Sequence, residues 1–285
     1  MNFLKAALLF FFILITFTFF GQEQEFDSLQ TNTSPSRWDM IKYDGKSTLG
    51  GITHVYTNPL RWKSKDWITF AGIVTGSALL LTVDEPANKF FSDQEEDISK
   101  IIKETGFRFG KPLINYGLTT GVYAVGILTK NEKIRKTGVL LIASATAGGI
   151  IQTMSKTLAG RARPSTGKGP TSFRFYSSDA GFHSFPSGHS ILSFTTAYAV
   201  SKQFENPYIK GSIYALGLIS PVSRLWAGAH WLTDVVLGVA ISVVVVDGID
   251  NYLNTNKRYA YKNERLGIRW NITLGPGQLG LIGSF

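Results

Sequence analysis

The stretch SRLWAGAHWLTDVVLGVAISVVVV, residues 223–246, decides the fold. Its first half carries an arginine, a histidine and an aspartate, and its second half, Val235–Val246, is an uncharged run dominated by valine. Such a run predicts a helix that is buried in a protein core or in a membrane. Ionisable groups at the edge of such a segment usually face the interior of a helical bundle and mark a functional site.

Similar uncharged runs of helix length precede this stretch, and most are rich in Leu, Ile, Val and Ala. The first three nearly reach the roughly 20 residues that a bilayer span needs, whereas the later ones reach it only by including ionisable residues such as His189. The pattern predicts an all-α helical bundle over residues 67–255 that is embedded in a membrane. The runs are Trp67–Val83, Pro112–Thr129, Thr137–Ser155, Ser190–Ser201 and Gly211–Ser223.

The segments that flank the bundle have a different composition. Residues 1–21 contain Lys5 and then an apolar run from Ala6 to Phe20, which is typical of an export signal or an uncleaved signal anchor. Residues 22–66 form a polar, turn-rich lead segment that we expect to be irregular. Residues 84–111 predict an amphipathic connection of mixed charge, and residues 256–285 predict a basic tail that is irregular or β-like.

Composition excludes several classes of protein. The chain has 285 residues and no cysteine, so disulfide scaffolds, thiolate zinc sites and cysteine nucleophiles are excluded. Charged residues make up 17% and aromatic residues 13%, which excludes a disordered chain. The net charge of +9 indicates attraction to an anion, which on this ground alone could be nucleic acid, a lipid headgroup or phosphate.

Three short segments hold a high density of groups that bind phosphate. They are Lys156-x6-Arg163-Pro164, Pro186-Ser187-Gly188-His189 and Ser223-Arg224-x5-His230-x3-Asp234. The guanidinium groups of these segments are planar forks that suit bidentate contact with an oxyanion. Ser187-Gly188 ahead of a helix offers a hydroxyl and free backbone N–H groups at a positive dipole end.

The two histidines supply the groups for acid–base and nucleophilic chemistry. His230 and Asp234 are four residues apart, so on a helix they would share one face. A carboxylate in that position can hold one imidazole N–H and leave the other nitrogen free as a nucleophile. His189 can protonate a departing oxygen near neutral pH. Together these groups are typical of a phosphatase that needs no metal.

The three segments, in this order and spacing, resemble the signatures of the type 2 phosphatidic acid phosphatase (PAP2) superfamily. That superfamily also contains the class A acid phosphatases and the vanadium haloperoxidases. The resemblance implies that His230 attacks phosphorus, that Asp234 orients it, and that His189 protonates the leaving alcohol and later activates water. It assigns the phosphoryl oxygens to Lys156, Arg163, Ser187, Gly188 and Arg224, and leaves Ser223 as a residue that shapes the turn.

The resemblance implies a lipid phosphate phosphatase with no cofactor and no metal ligands. The predicted partners are a lipid phosphate substrate and membrane lipids, not nucleic acid, and no oligomeric state is predicted. A periplasmic acid phosphatase of broad specificity and a vanadium-dependent haloperoxidase remain alternatives. Arg161 and Arg174 are interpreted either as solvated loop charges or as recruiters of anionic substrate, and His183 as a loop histidine near the mouth of the site.

Basic connections favour an active site on the exported side of an inner membrane. Lys130–Lys136 and Lys202–Lys210 carry the positive charge expected of cytoplasmic loops, which places all three motifs on the opposite face. This orientation requires the helix over Trp67–Val83 to begin in the cytoplasm, whereas a cleaved signal peptide would place its start outside. A first helix that does not cross, an uncleaved N-terminal run or a periplasmic bundle would each remove the conflict.

Overall fold

The computed structural model describes residues 35–255, 258–259, 269–275 and 278–284. In these residues the chain forms helices followed by two strands. They are α1 Arg37–Thr57, α2 Ser64–Leu80, α3 Asp84–Asp93, α4 Lys100–Phe109, α5 Pro112–Thr129, α6 Glu132–Ala159, α7 Gly188–Ser201, α8 Pro207–Trp226, α9 Leu232–Thr255, β1 Arg269–Gly275 and β2 Gln278–Ser284. The predicted all-α bundle is therefore confirmed, and each predicted uncharged run lies within a helix or its short 3-10 extension.

Helix α6 lies at the centre of the bundle. It packs against α1, α5, α7 and α9, while α8 covers the outer face of α7 and α4 lies against α8. The core between these helices is aliphatic, since burial of apolar surface is the main force that holds a bundle together. Its fully buried members include Val139, Leu140, Leu141, Ala199, Val245, Val246 and Ile249.

Three segments of the described residues are long and apolar enough to cross a membrane. They are Ser64–Asp93, which joins α2 to α3, Glu132–Ala159, which is α6, and Leu232–Thr255, which is α9. About half of the apolar window of α6 is buried inside the bundle, whereas that of Ser64–Asp93 is not buried at all. Helix α2 therefore presents its apolar side chains, such as Ile68 and Leu79, to the surroundings of the protein.

The prediction that residues 22–66 are irregular is wrong for the part that the structure describes. Residues 37–57 form helix α1, which Ser36 caps by accepting a hydrogen bond from the backbone N–H of Asp39 at 3.2 Å. The helix packs closely on α9, since a Cβ atom at Gly50 would collide with the Tyr252 side chain. Glycine at this position therefore lets the two helices approach each other and does not form a turn.

Residues 84–111, predicted as an amphipathic connection, form two separate helices of ten residues, α3 and α4. Lys103 of α4 forms an ion pair at 2.5 Å with Glu95, which lies between the two helices. Arg108 pairs with Glu104 along α4. The mixed charge that suggested a connection is therefore used in local pairs on the outer surface of these helices.

The C-terminal tail contains an antiparallel pair of strands, which confirms its predicted β-like character. Arg269 of β1 pairs with Ser284 of β2 at one end of the ladder, and Gly275 pairs with Gln278 at the other. The proposed signal segment 1–21 and the basic residues Lys257, Lys262 and Arg265 lie outside the described residues.

Candidate active site

The ends of four helices bring the three motif segments to one end of the bundle. Lys156 lies in the last turn of α6, Ser187 caps the N-terminus of α7, and Arg224 lies in the last turn of α8. His230 occupies the turn before α9, and Asp234 lies in the first turn of that helix. The backbone N–H of Ser187 donates to the backbone carbonyl of Asp234 at 3.1 Å, which ties α7 directly to α9.

His230 and Asp234 are adjacent, but not on one face of a helix as their spacing predicted. His230 precedes α9, and its Nδ1 atom lies 3.7 Å from Oδ2 of Asp234 with no hydrogen-bond partner. The imidazole is 3% exposed. Burial lowers the pKa of His230 below its ordinary value, so the ring is neutral near pH 7 and carries a free lone pair.

The carboxylate of Asp234 is fully buried and accepts hydrogen bonds from three donors. Arg161 donates from Nη1 to Oδ1 at 2.6 Å, and the Ser184 hydroxyl donates to Oδ2 at 2.5 Å. The backbone N–H of Trp231 donates to Oδ2 at 2.9 Å. These contacts fix the carboxylate beside His230 before any substrate arrives.

The predicted cations lie close enough to interact with the histidines. Lys156 and Arg163 act electrostatically on His230, and Lys156 and Arg224 act on His189. The guanidinium of Arg163 is held by backbone carbonyls, donating from Nε to Ala180 at 3.1 Å, from Nη1 to Ala229 at 3.2 Å and from Nη2 to His183 at 3.3 Å. Arg163 is therefore oriented by the loop backbone and not by an acidic side chain.

The N-terminus of α7 has the form expected of an anion site. The side chain of Ser187 caps the helix by accepting from the N–H of Ser190 at 3.4 Å, and Gly188 occupies the first helical position. A Cβ atom at Gly188 would come within 3 Å of the amide end of the Gln152 side chain, so a larger residue would displace Gln152 of α6. His189 follows, and its Nε2 atom is buried without a hydrogen-bond partner.

Ser223, which the motif left as a turn-shaping residue, lies inside α8. Its hydroxyl donates to the carbonyl of Ser220 at 2.7 Å and accepts from Nε of Arg224 at 3.3 Å. The contact limits the rotation of the Arg224 side chain. Ser223 therefore orients the side chain of Arg224, and its own side chain is buried.

Phe107 of α4 is a site residue that the sequence analysis missed. Its ring stacks on that of His189 with centroids 5.4 Å apart, and the guanidinium carbon of Arg224 lies 4.5 Å from the ring centroid. Gly106 and Gly110 allow this approach, because a Cβ atom at either would collide with side chains of α8 or α7. Two glycines four residues apart around an aromatic residue were the available signal.

Both interpretations of Arg161 are wrong, since its side chain is 1% exposed and can neither be solvated nor recruit substrate. It pairs with Asp234 and, at 2.6 Å, with Asp84 at the start of α3. Asp84 was not predicted to take part in the site. Arg174 is exposed over the ring of Phe182, and His183 lies in the loop as predicted, with its Nε2 atom 2.7 Å from the carbonyl of Ser177.

The arrangement provides what a phosphoryl transfer requires. A neutral buried imidazole lies beside a fixed carboxylate, a second histidine with an unpartnered nitrogen lies nearby, and cations surround both. Among the described residues, no group of three or more His, Asp or Glu side chains is placed to hold a metal ion.

Comparisons with known proteins agree with this chemistry. The model of the PAP2 superfamily matches residues 137–258. A Lipid A 1-phosphatase of Rhizobium etli is 26% identical over 204 residues, which is 64% of this chain and 81% of that protein. A Lipid A 4'-phosphatase of Porphyromonas gingivalis is 29% identical over 70 residues, 25% of this chain and 30% of that protein.

One solved structure is similar, with 20% identity and a TM-score of 0.42. It is the crystal structure of Aquifex aeolicus LpxE, and the match covers 57% of this chain and 93% of that one. The family model spans α6 from residue 137 onward, the motif loop, α7, α8 and α9, which carry all three signatures. Over residues 137–258 the chain is similar to the PAP2 superfamily; the protein is a membrane protein and a phosphatase.

Proposed function

We propose that this protein hydrolyses a phosphate from a membrane lipid through a phosphohistidine on His230. The observation that carries the proposal is the contact between His230 and Asp234. A neutral imidazole with an unpartnered Nδ1 lies 3.7 Å from a buried carboxylate, so a small movement would orient the ring and leave Nε2 toward the cations. Hydrogen bonds of this kind often tighten only when substrate binds.

The reaction would proceed in two steps of phosphoryl transfer. In the first, Nε2 of His230 attacks phosphorus, the P–O bond to the lipid breaks, and His189 protonates the departing oxygen. In the second, His189 takes a proton from water, whose oxygen attacks phosphorus and releases inorganic phosphate from His230. Asp234 stabilises the charged imidazole in both steps. The phosphoryl oxygens would be held by Lys156, Arg163, Ser187, Gly188 and Arg224, which neutralise charge in the transition state.

A lipid substrate is supported by the apolar character of the helices and by the names of the relatives. Those relatives are lipid A phosphatases of two kinds, so we propose phosphorylated lipid A as the first substrate to test. The approach would be lateral, because exposed apolar side chains of α2, such as Ile68 and Leu79, lead toward Asp84 at the site end of the bundle.

We propose that the site faces the exported side of the inner membrane. Helix α6 has 28 residues, so its ends lie about 42 Å apart, with the basic Lys130–Lys136 connection at one end and Lys156 at the other. The positive charge of the Lys130–Lys136 connection favours the cytoplasm for that end of α6. Arg37 lies at that same end, since its guanidinium donates to the carbonyl of Leu128 at 3.4 Å. This orientation is incompatible with a cleaved signal peptide that leaves the following residues outside.

We also propose that the phosphatase domain begins at α1 and not at residue 67. Tyr56 of α1 donates to the carbonyl of Ala147 in the middle of α6 at 2.7 Å, and Asp44 pairs with Arg135 at the start of α6. These contacts make α1 part of the same packed unit. Residues 256–285 remain a separate tail in this proposal.

The test is release of inorganic phosphate by the purified full-length protein in detergent micelles. The panel contains phosphorylated lipid A, phosphatidate, phosphatidylglycerophosphate, an isoprenyl diphosphate and the soluble ester p-nitrophenyl phosphate. We expect release from a lipid, little from the soluble ester, inhibition by vanadate and no loss of activity in EDTA, because three cations already neutralise the phosphoryl group. Turnover of the soluble ester alone would support the periplasmic acid phosphatase. Oxidation of bromide by peroxide that depends on vanadate would support the haloperoxidase.

A further inference from the structure

A buried triad of charges lies behind the proposed nucleophile. The guanidinium of Arg161 bridges two carboxylates, donating from Nη1 to Asp234 and from Nη2 to Asp84, each at 2.6 Å. Its Nε donates to the carbonyl of Pro170 at 2.8 Å. All three side chains are at most 1% exposed. Two carboxylates share one guanidinium, so the triad carries a net charge of −1.

Asp84 also fixes the beginning of α9. Its Oδ1 accepts from the backbone N–H of Thr233 and its Oδ2 from the Thr233 hydroxyl, both at 2.9 Å. Thr233 precedes Asp234 directly. Asp84 therefore both positions the helix turn that carries Asp234 and offsets the positive charge of Arg161, which Asp234 contacts.

The charge balance of the triad bears on the reaction. If Arg161 had Asp234 as its single partner, the pair would be neutral, and a neutral pair would give little stabilisation to a positively charged imidazole. Because Asp84 shares Arg161, negative charge remains on the side of His230. In a buried site such a charge is weakly screened and acts strongly on its neighbours.

We propose that Asp84 and Arg161 are positioning residues for phosphoryl transfer, and that Asp84 offsets the positive charge of Arg161 so that the negative charge of Asp234 acts on His230. This inference rests on the proposed function, because it assigns a role in the formation of the phosphohistidine. The other charged groups that act on His230 are Lys156 of α6 and Arg163 of the motif loop, and His189 of α7 lies within electrostatic reach. None of these changes in the variants below.

The first variant is Asp84→Asn, which preserves size and removes one negative charge. We expect kcat to fall about tenfold, as is typical when the partner of an orienting group is lost, with KM nearly unchanged. The acid limb of kcat/KM against pH should move to lower pH, because less negative charge near His230 disfavours its protonated form. Asp93→Asn, at the exposed far end of α3, removes the same charge outside the triad and should leave both quantities unchanged.

The second variant separates charge from structure. Asp84→Asn combined with Arg161→Gln restores the net charge of −1 on Asp234, so we expect the acid limb to return toward its wild-type position. If Asp84 only pins α3 to α9, the double variant will be worse than the single one and neither will move the acid limb. That result, measured on folded protein of equal thermal stability, would overturn the inference.

A measurement without turnover keeps this inference distinct from the proposed function. The chain has four histidines, so the imidazole signals of 15N-histidine-labelled full-length protein can be assigned by single substitutions and titrated by NMR. A lower titration point for His230 in Asp84→Asn, reversed in the double variant, supports the inference even if no lipid in the panel is hydrolysed. An unchanged titration in an active enzyme overturns the inference and leaves the function standing.

Discussion

The Nδ1 atom of His230 lies 3.7 Å from the Oδ2 atom of Asp234, and that same oxygen already accepts hydrogen bonds from Ser184 and from the backbone of Trp231. The carboxylate is thus held by protein donors on both oxygens, while Nδ1 of His230 has no hydrogen-bond partner. Closing the gap therefore depends on the orientation of the His230 side chain, because three donors already fix the carboxylate.

The first prediction concerns the nucleophile. His230→Ala should abolish turnover, and wild-type protein quenched during the reaction should carry an acid-labile phosphate on His230. Asp234→Asn should lower kcat by about 10²–10⁴-fold while vanadate binding changes little, because the amide cannot stabilise the charged imidazole. Phosphate release and mass spectrometry of the quenched protein provide the measurements.

The matched control is His54→Ala. His54 lies on α1, where its Nδ1 atom lies 3.2 Å from Nη2 of Arg61 and its ring packs on Tyr252 of α9. Its removal should leave phosphate release unchanged. Substantial activity in His230→Ala, or labelled phosphate on another residue, would contradict the assignment.

The second prediction concerns pH. Burial lowers the pKa of His230, so its imidazole remains neutral to a lower pH than a solvated histidine with a pKa of about 6.5. The neutral form is the nucleophile, and activity is therefore lost as the pH falls through the lowered pKa. The acid limb of kcat/KM should lie below pH 6.5 for the wild type. A limb at or above that value would show that the free enzyme needs a different group.

The third prediction concerns Phe107, which contacts both His189 and Arg224. Phe107→Leu should lower kcat/KM by roughly 2- to 30-fold, since cation–π contacts contribute about 0.5–2 kcal/mol. Phe107→Tyr should retain most of the activity because it keeps the ring. Phe90→Ala on α3 removes an exposed ring that packs on Phe91 and serves as the control. Equal activity in Phe107→Leu and the wild type would show that the ring does not orient the site.

The fourth prediction concerns stability at the opposite end of the bundle. Asp44 accepts hydrogen bonds from Nε and Nη2 of Arg135, each at 2.9 Å, and from the hydroxyls of Tyr123 at 3.0 Å and Tyr259 at 2.9 Å. Arg135→Met leaves the buried carboxylate without its cation and should reduce the free energy of unfolding by about 3–5 kcal/mol. Denaturation in detergent micelles, followed by circular dichroism, measures this change.

An exposed ion pair gives the comparison. Arg108→Met removes a guanidinium that pairs with Glu104 on the surface of α4, and such pairs contribute about 0–1 kcal/mol. The variant Asp44→Asn combined with Arg135→Met should be more stable than Arg135→Met alone, because it removes the unpaired charge. If Arg135→Met and Arg108→Met reduced the free energy of unfolding equally, the contacts of Asp44 with Arg135 would not be what holds α1 in the bundle.

Much of the bundle could be predicted because its helices are uncharged runs bounded by charge. The run Pro112–Thr129 has the same bounds as α5. Helix α1 could not be predicted in this way, since its glycines interrupt the apolar pattern and it is stabilised by packing on α6 and α9. Local composition is a poor guide when a helix depends on partners that are distant in the chain.

The residues that bind phosphate could be identified from motif spacing, but their supporting contacts could not. Arg161 lies two residues before Arg163, yet its partners are 73 and 77 residues away, at Asp234 and Asp84. A buried guanidinium and a solvated one have the same sequence pattern. Burial and pairing are decided by the tertiary fold, so the position of Arg161 in a polar loop does not reveal that its guanidinium is buried.

The last prediction concerns the side of the membrane on which the site lies. The chain has no cysteine, so Ser178→Cys in the exposed motif loop and Thr129→Cys at the exposed end of α5 give single reporters at opposite ends of the bundle. Thr129 is preferable to Asn131, whose side chain caps α6 by accepting from Ile134 at 3.0 Å. A thiol reagent that cannot cross the inner membrane should label position 178 in intact spheroplasts and position 129 only after lysis. The reverse order would place the site in the cytoplasm. Labelling of both positions before lysis would place the whole bundle outside, restore the cleaved signal peptide as the interpretation of residues 1–21, and favour a soluble phosphomonoester as substrate.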